Sequence, residues 1–536
     1  MSFFISIFKN MYTNLLITQL ICLMFIAVEP YIIPILVGYI TESFALNEIN
    51  LYASLSFIVV QGLGVLLIFF IGKLMSSLIP LIEINTRNVL FEKIQKLPYI
   101  TLEKMDEGEI IKRILLVGET THIFLEKFIN RIFPSFCIFL VATLHFSLTN
   151  IFIGLIFCLW CITHSYLFFY AYKESSLIAK EHNDIHNNIY SFLSNSFKNQ
   201  IYKYFYNIYD EEMNRLQYIN DKEKQLHKES ISIMYKWKFI QAIVCFLFQG
   251  IAINVLIVVL WKFSILSFSQ VTTIFHMNGG IIKIVWRLVD HLPEMSQQIG
   301  RIKACLDLIC NEEVLNNKNI PKNNHINVQN ISFFYDKKQI IHNLSFEVHS
   351  GEKFIVKGTS GKGKSTLLKL LSGLYSPNDG SITVDNMLIE NILGISFIPA
   401  NKYIFNASLI YNLTFGKEYD ENDFYEALNI CIIDFIHNYE DNISVSNLST
   451  GQVQRILLAR SWMYMKKFNK NSEDMGISNG GILIMDEPIS ALDLETSEKI
   501  MKQFLCLKYT IICVDHTEVC EKILKENNMK HFILSL

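Results

Sequence analysis

A glycine-rich segment in the second half of the chain has the residue types that bind phosphate groups. The apolar run KFIVK leads into GTSGKGKST, which fits the pattern G-x-x-x-x-G-K-[ST], and the helical pattern TLLKLLSGL follows. Glycines let the backbone wrap closely around phosphates, while backbone N–H groups and the helix N-terminus supply positive potential. The lysine of this pattern reaches the outer phosphates and the next serine binds Mg²⁺. The predicted phosphate-binding residues are Gly358, Thr359, Ser360, Gly361, Lys362, Gly363, Lys364, Ser365 and Thr366.

A second apolar run, GILIMDEP, ends in two adjacent carboxylates, Asp486 and Glu487. A carboxylate at the end of a buried strand suits Mg²⁺ coordination, and its neighbour is placed to polarise an attacking water. The alternative is a carboxylate that caps a helix at Pro488. We predict that Ser365 and Asp486 bind Mg²⁺ and that Glu487 is the catalytic base.

Between these two segments lies LSTGQVQR, residues 448–455, and here the sequence resembles a known family. It is similar to the nucleotide-binding domain of ATP-binding cassette (ABC) transporters, whose signature is L-S-G-G-Q. In that family the signature of one subunit closes over ATP held by the other. The resemblance therefore implies a dimer in which Ser449, Gly451 and Gln452 act in trans. Thr450 departs from the usual glycine.

The resemblance assigns roles to three further residues. Tyr335, which lies 23 residues before Gly358, matches the aromatic residue that stacks on adenine. The segment from Ser490 to Asp493 resembles the D-loop that communicates across the dimer, so Asp493 is a candidate nucleotide-site residue. His516, after TIICVD, resembles the switch histidine that contacts the γ-phosphate. Taken alone, a histidine after an apolar strand would be interpreted as a surface or capping residue.

The sequence departs from the family in the segment that usually links the site to the membrane domain. The glutamine expected there falls on Ala400, and its neighbour Asn401 is a candidate substitute. In the family this glutamine senses Mg²⁺ and the attacking water. The stretch ISVSN before the signature also lacks the family's acidic-glycine loop. We expect coupling and rate to be affected more than ATP binding.

The chain ahead of the phosphate loop is predicted to cross a membrane. Residues 132–172 are 41 positions without Asp, Glu, Lys or Arg, about twice the length that one spanning helix needs, so a turn is expected at Thr149-Asn150. Further uncharged runs occupy residues 49–72, 239–261 and 263–282, and a first run is interrupted at Glu29-Pro30. The six predicted spans are about 10–41, 49–80, 131–148, 151–172, 238–261 and 264–290.

Loop charges predict the orientation of these spans. Lysine and arginine are concentrated in residues 73–131 and 173–238, whereas the alternate loops contain only Lys262. By the positive-inside rule both termini and the two long loops are cytosolic. The six spans resemble the type I exporter arrangement, which implies a bacterial inner membrane or an equivalent one. By the same resemblance, residues 87–113 and 199–206 match cytosolic loops, the second with a coupling helix that docks on the partner's nucleotide domain.

These features predict a fold class and its domains. The predicted fold is a multi-pass α-helical membrane domain (1–310), a linker (311–325) and an α/β P-loop NTPase domain (326–536), in which short β-branched runs alternate with helical stretches. The chain has 51% hydrophobic and 18% charged residues and a net charge of −3. This composition excludes a disordered chain and a basic nucleic-acid-binding protein.

The predicted function is ATP-driven export of an unidentified small molecule, lipid or peptide by a dimeric ABC transporter. ATP and Mg²⁺ are the expected cofactors. The expected partners are membrane lipid and a second half-transporter, identical or different, and not nucleic acid. The alternative is a nucleotide-binding regulatory or partner subunit with weak turnover, which Ala400 favours.

Overall fold

The computed structural model describes residues 12–105, 107–291, 294–295, 298–303, 319–336, 338–359, 361–474, 481–527, 529 and 531–535. Contacts divide the chain into two compact units. The first comprises Met1–Lys96 and Met105–Glu312, and the second Leu97–Lys104 and Glu313–Leu536. Of the predicted linker, residues 311–318 lie outside the described part of the chain.

The first unit is helical. Helices α1 to α11, of which only α4 belongs to the second unit, are Tyr12–Ala27, Ile33–Ala45, Leu51–Gln95, Tyr99–Lys104, Glu107–Lys127, Phe133–Thr149, Ile151–Lys198, Gln200–Tyr206, Tyr209–Cys245, Asn254–Lys262 and Phe268–Asp290. Three π-helical segments, Val28–Ile32, Phe128–Ile132 and Phe246–Ile253, join α1 to α2, α5 to α6 and α9 to α10. Pro30 lies in the first of them. A proline removes one hydrogen bond of a helix, and a π-helical turn accommodates that loss.

Five helical stretches in the described residues are long and apolar enough to cross a membrane: Leu15–Ala45, Leu51–Gln95, Ile110–Thr149, Ile151–Lys198 and Tyr209–Lys262. Asn150 separates the third from the fourth with an extended backbone, and its side chain accepts a hydrogen bond from the Phe152 N–H, which caps α7. Helix α11 has 23 residues at the position of the sixth predicted span but is not among the five. Its membrane crossing stays a prediction.

The second unit contains two sheets. Strands β1 to β9 are Ile326–Tyr335, Lys338–Val348, Lys353–Lys357, Asp379–Val384, Met387–Leu388, Ile395–Ile398, Ile482–Asp486, Thr510–Val514 and His531–Ser535. The antiparallel sheet has the order β2-β1-β4-β5, and the parallel sheet has the order β6-β7-β8-β3-β9. Helices α12 to α17 are Lys364–Leu371, Leu409–Thr414, Glu421–Ile430, Thr450–Asp474, Leu494–Leu505 and Val519–Glu526.

The order of the parallel strands explains where a site forms. Strands β7 and β8 are buried along their whole length, which accounts for their uninterrupted apolar sequences. Strand β3, the other neighbour of β8, leads into the glycine-rich loop, β7 ends at Asp486, and β8 is followed two residues later by His516. The carboxyl ends of parallel strands meet at one edge of a sheet, which is where such folds bind ligands.

Candidate functional site

The glycine-rich loop connects β3 to the N-terminus of α12. Gly363 has a φ of +91°, and a Cβ added there would lie 2.7 Å from Cγ2 of Ile340, so only glycine fits without strain. The ammonium of Lys364 donates to the carbonyl oxygens of Gly358 and Thr359, at 2.8 and 3.0 Å. Gly361 and Lys362 are exposed, as phosphate binding requires. Ser360 lies outside the described residues.

The oxygens expected to bind Mg²⁺ lie together. Asp486 is 3% exposed, and burial raises the pKa of its carboxyl group, while a hydrogen bond from Ser365 acts in the opposite direction. Mg²⁺ prefers oxygen ligands and is usually bound by one or two carboxylates plus substrate phosphates. A carboxylate next to a hydroxyl at the start of α12 therefore fits this ion.

Glu487 directly follows β7 in an unusual backbone conformation. Its φ is +50°, uncommon for a residue other than glycine, and its N–H donates to the carbonyl oxygen of Val514 at 3.1 Å. Nε2 of His516 lies 3.5 Å from Oε1 of Glu487. The pairing of Asp486 with Val514 across β7 and β8 brings these two side chains together.

Two residues that the sequence did not single out contact this region. Gln454 is 1% exposed; its amide nitrogen donates to the carbonyl oxygen of Glu487 at 3.0 Å, and its amide oxygen accepts from the N–H of Ala491 at 3.1 Å. The ammonium of Lys402 donates to this amide oxygen at 2.9 Å and to Oγ of Ser490 at 3.1 Å. The signal for Gln454 was its position in the signature segment, two residues after Gln452.

Lys402 therefore reaches this region from the segment where the family has glutamine. Burial lowers the pKa of its ammonium, and the nearby charge of Glu487 opposes that shift. The adjacent Asn401 is exposed. Of residues 400–402, Lys402 is the residue whose side chain donates hydrogen bonds to the groups around Glu487.

The signature residues form the start of helix α15. Oγ of Ser449 accepts from the N–H of Gln452 at 3.2 Å, and Oε1 of Gln452 accepts from the N–H of Ser449 at 2.8 Å, a reciprocal capping box. A Cβ on Gly451 would lie 2.8 Å from the carbonyl oxygen of Ala491, so this close approach requires glycine. Ser449 is exposed, as a residue that acts on a second chain would be.

Asp493 is the last residue of the D-loop-like segment and caps helix α16, which begins at the next residue. Its carboxylate accepts from the N–H of Thr496 at 2.9 Å, and this hydrogen bond lowers the pKa of Asp493. The residue is exposed. The described contacts thus give Asp493 a capping role, and a contact with nucleotide or with a second chain stays a prediction.

Tyr335, the predicted adenine-stacking residue, ends β1 and belongs to a chain of hydroxyl groups. Its hydroxyl donates to the Tyr375 hydroxyl at 3.2 Å, and Tyr375 donates to the carboxylate of Glu103 on α4. Lys369 pairs with the same carboxylate at 2.5 Å. Partial burial raises the pKa of Glu103, but the hydrogen bonds from Lys369 and Tyr375 outweigh it and lower the pKa overall.

Comparison with known proteins identifies the second unit. Residues 341–469 match the family model for the ABC transporter. This chain carries an ABC transporter domain. LagD, a lactococcin-G-processing and transport ATP-binding protein of Lactococcus lactis subsp. lactis, is 31% identical over 232 residues, 39% of this chain and 31% of that protein. A probable ABC transporter ATP-binding/permease protein of Haemophilus influenzae is 31% identical over 223 residues, 38% of each chain.

The fold of the whole chain is that of an ABC exporter. The structure of a bacterial Atm1-family ABC exporter with ATP bound superposes with a TM-score of 0.81 at 18% identity, over 99% of this chain and 93% of that one. The predicted fold class, a multi-pass helical membrane domain with an α/β P-loop domain, is confirmed. The alignments with LagD and the Haemophilus protein cover only about a third of each relative's length.

Proposed function

We propose that this protein is one subunit of a dimeric, ATP-driven ABC exporter. The observation that carries the proposal is the arrangement of Glu487, with His516 against its carboxylate, directly beside the Asp486–Ser365 pair at the end of the phosphate loop. A general base next to a metal-binding carboxylate is what phosphoanhydride hydrolysis requires.

Each residue has a part in this reaction. Lys364 and the backbone N–H groups of residues 358–366 would bind the nucleotide phosphates, and Tyr335 would hold the adenine. Ser365 and Asp486 would hold Mg²⁺, which when bound neutralises phosphate charge. Glu487 accepts a proton from the attacking water, and His516 holds its carboxylate in place. Ser449, Gly451, Gln452 and Asp493 would complete the site of a second subunit.

An exposed aromatic helix supports a dimer. Helix α8 presents Tyr204, Phe205 and Tyr206 with 71–76% of each residue exposed, in a part of the chain flanked by charged helical sequence. Exposed apolar clusters of this kind are typical of interaction sites. The family resemblance makes the partner's ATP-binding domain the surface that covers α8.

Closure of the two ATP-binding domains would move helices such as α8 and turn the membrane cavity outward. Hydrolysis of ATP would then return the cavity to its inward-facing state.

The same proposal covers cargo and location. The cargo would be a small molecule, lipid or peptide, and the membrane a bacterial inner membrane or its equivalent, with the ATP-binding domain in the cytosol. A second candidate is a regulatory or partner subunit with weak turnover in a heterodimer. Ala400, in place of the glutamine that usually senses the attacking water, favours it.

The experiment is ATP hydrolysis by the purified full-length chain in proteoliposomes. We expect hydrolysis that falls about 100-fold in Glu487→Gln while ATP binding is retained. Glu495→Gln, an exposed glutamate on the nearby helix α16, is the matched control and should keep full activity. If the chain binds ATP but its turnover does not change in Glu487→Gln, the catalytic assignment fails and the regulatory subunit is the better description.

A further inference from the structure

The helical unit contains a cavity of about 790 Å³. Its walls come from α1, α2, α3, α6 and α11 and from the π-helical segments Val28–Ile32 and Phe128–Ile132. Cavities of 300–1,000 Å³ hold molecules of drug size. The volume alone does not indicate the chemical class of the ligand, but the charges in the wall do.

The described charged side chains in the cavity wall are both basic. Arg131 and Lys283 line the cavity, and no aspartate or glutamate is among the lining residues whose side chains the structure describes. Among the described residues, no hydrogen bond or ion pair involves the guanidinium of Arg131 or the ammonium of Lys283. Ionisable side chains that face a cavity between membrane helices mark sites that bind ions or substrates.

The rest of the wall is mainly apolar. Its apolar side chains include Phe25, Ile68 and Phe275. Phe275 precedes Lys283 by eight positions on α11, which corresponds to about 12 Å along a helix. Arg131 lies in the π-helical segment Phe128–Ile132, just before α6, and Lys283 lies in the part of α11 that leads to the ATP-binding domain. The cations therefore lie at the ends of their helices that the predicted topology places toward the cytosol.

We propose that this cavity binds an anionic amphiphile, with its negative group against Arg131 and Lys283 and its apolar body against the helices. This inference rests on the proposed transport function and adds the chemical class of the cargo. An anionic group is attracted to the two cations, whereas a cationic ligand of the same shape would be repelled.

Two glycines in the wall allow the cavity to be filled without disturbing the fold. A Cβ built on Gly279 or Gly280 of α11 meets no atom within 4 Å, and both residues line the cavity. Gly280→Leu therefore places a side chain in empty space. Gly62 on α3 has equally open surroundings but does not line the cavity, so Gly62→Leu is the matched control.

The test uses fluorescent probes that share one apolar body and differ in head-group charge. Pyrenebutanoate and pyrenebutyl-trimethylammonium are titrated into the full-length protein in lipid nanodiscs without ATP. The variants are Arg131→Gln/Lys283→Gln, Gly280→Leu and the controls Gly62→Leu and Lys73→Gln. Lys73 is an exposed lysine on α3 outside the cavity. Competition by lysophosphatidate or by an acidic apolar peptide then distinguishes a lipid from a peptide as the natural source of the anion.

We expect the anionic probe to bind at least about tenfold more tightly than the cationic one. The double variant should abolish that preference, Gly280→Leu should weaken binding of both probes, and the controls should match the unchanged protein. Equal or tighter binding of the cationic probe, or a preference that survives the double variant, would overturn the proposal. Because the titration needs no turnover, ATP hydrolysis that does not depend on Glu487 would contradict the proposed function without affecting this measurement.

Discussion

Nε2 of His516 lies 3.5 Å from Oε1 of Glu487, across the ends of the neighbouring parallel strands β7 and β8. Neither residue is fully buried, with 48% and 40% of their side chains exposed. The imidazole is therefore positioned to orient the carboxylate while both side chains stay partly exposed.

This contact predicts the effect of removing the imidazole. We expect His516→Ala to lower the rate of ATP hydrolysis about 100-fold, since general-base steps contribute at least that much. ATP binding should be nearly unchanged. His342→Ala removes an exposed histidine of β2 and serves as the control. An equal loss in both variants, measured by steady-state hydrolysis in proteoliposomes, would contradict a specific role for His516.

Lys402 is expected to position the loop that follows Glu487. It bridges Gln454 and Ser490, so Lys402→Ala should lower kcat about tenfold while the KM for ATP changes little. Lys402→Gln keeps a donor on a shorter side chain and should recover part of the loss. Lys417→Ala, at an exposed site, is the control. An increase in KM without a decrease in kcat would show that Lys402 acts on nucleotide binding instead.

Much of the fold could be predicted because its signals are local. The phosphate loop, the run ending in Asp486 and the uncharged helices are each continuous in the sequence, and parallel-sheet geometry brings the strand ends together. The helices extend beyond the predicted spans, to Gln95 and to Lys198, since the charged residues after each apolar run are themselves good helix formers.

Other contacts could not be predicted because they join distant residues or replace a family residue. Tyr375 and Glu103 are 272 positions apart, and nothing in either local pattern indicates the other. Lys402 was missed because the family pattern directs attention to Ala400 and Asn401. Hydrogen-bond geometry depends on where the loop after β6 places each side chain, and that is set by tertiary packing.

Burial of Lys353 predicts a pH-dependent stability. Its ammonium donates to the carbonyl oxygens of Leu507 and Tyr509 at 2.6 Å, and burial lowers its pKa to about 8, whereas in the unfolded chain the usual value is 10.5. Between these values the folded protein binds fewer protons, so stability should rise with pH from about 8 to 10.5. Below about pH 8 both states are protonated and the cost of burial remains.

Thermal unfolding across this range measures the effect. The melting temperature of the unchanged protein relative to Lys353→Met should increase as the pH rises from about 8 to 10. Lys357 on the same strand pairs with Glu521, which raises its pKa, so Lys357→Met should lack this trend. A difference between the unchanged protein and Lys353→Met that does not vary with pH would contradict the lowered pKa.

The proposed composite site, in which two chains share each nucleotide, predicts complementation. Lys364→Ala should disable the phosphate loop, and Ser449→Arg should block the signature. Each variant alone should show little hydrolysis. In a mixed dimer one site contains both substitutions and the other contains neither, so mixing the two before reconstitution should restore activity. A mixture no more active than its components would argue against action in trans between copies of this chain.

The hydroxyl chain from Tyr335 through Tyr375 to Glu103 predicts how nucleotide binding reaches helix α4. In Glu487→Gln, which is expected to bind ATP without turnover, ATP should protect residues 97–104 from hydrogen–deuterium exchange. Tyr375→Phe removes the hydroxyl that joins Tyr335 to Glu103 but preserves the ring packed on Phe333. In the double variant Glu487→Gln/Tyr375→Phe we therefore expect ATP no longer to protect α4 from exchange. Protection of residues 361–371 should remain. Tyr425→Phe, at a residue 53% exposed, is the control. Unchanged ATP-induced protection of α4 in Tyr375→Phe would show that the nucleotide acts on this helix by another route.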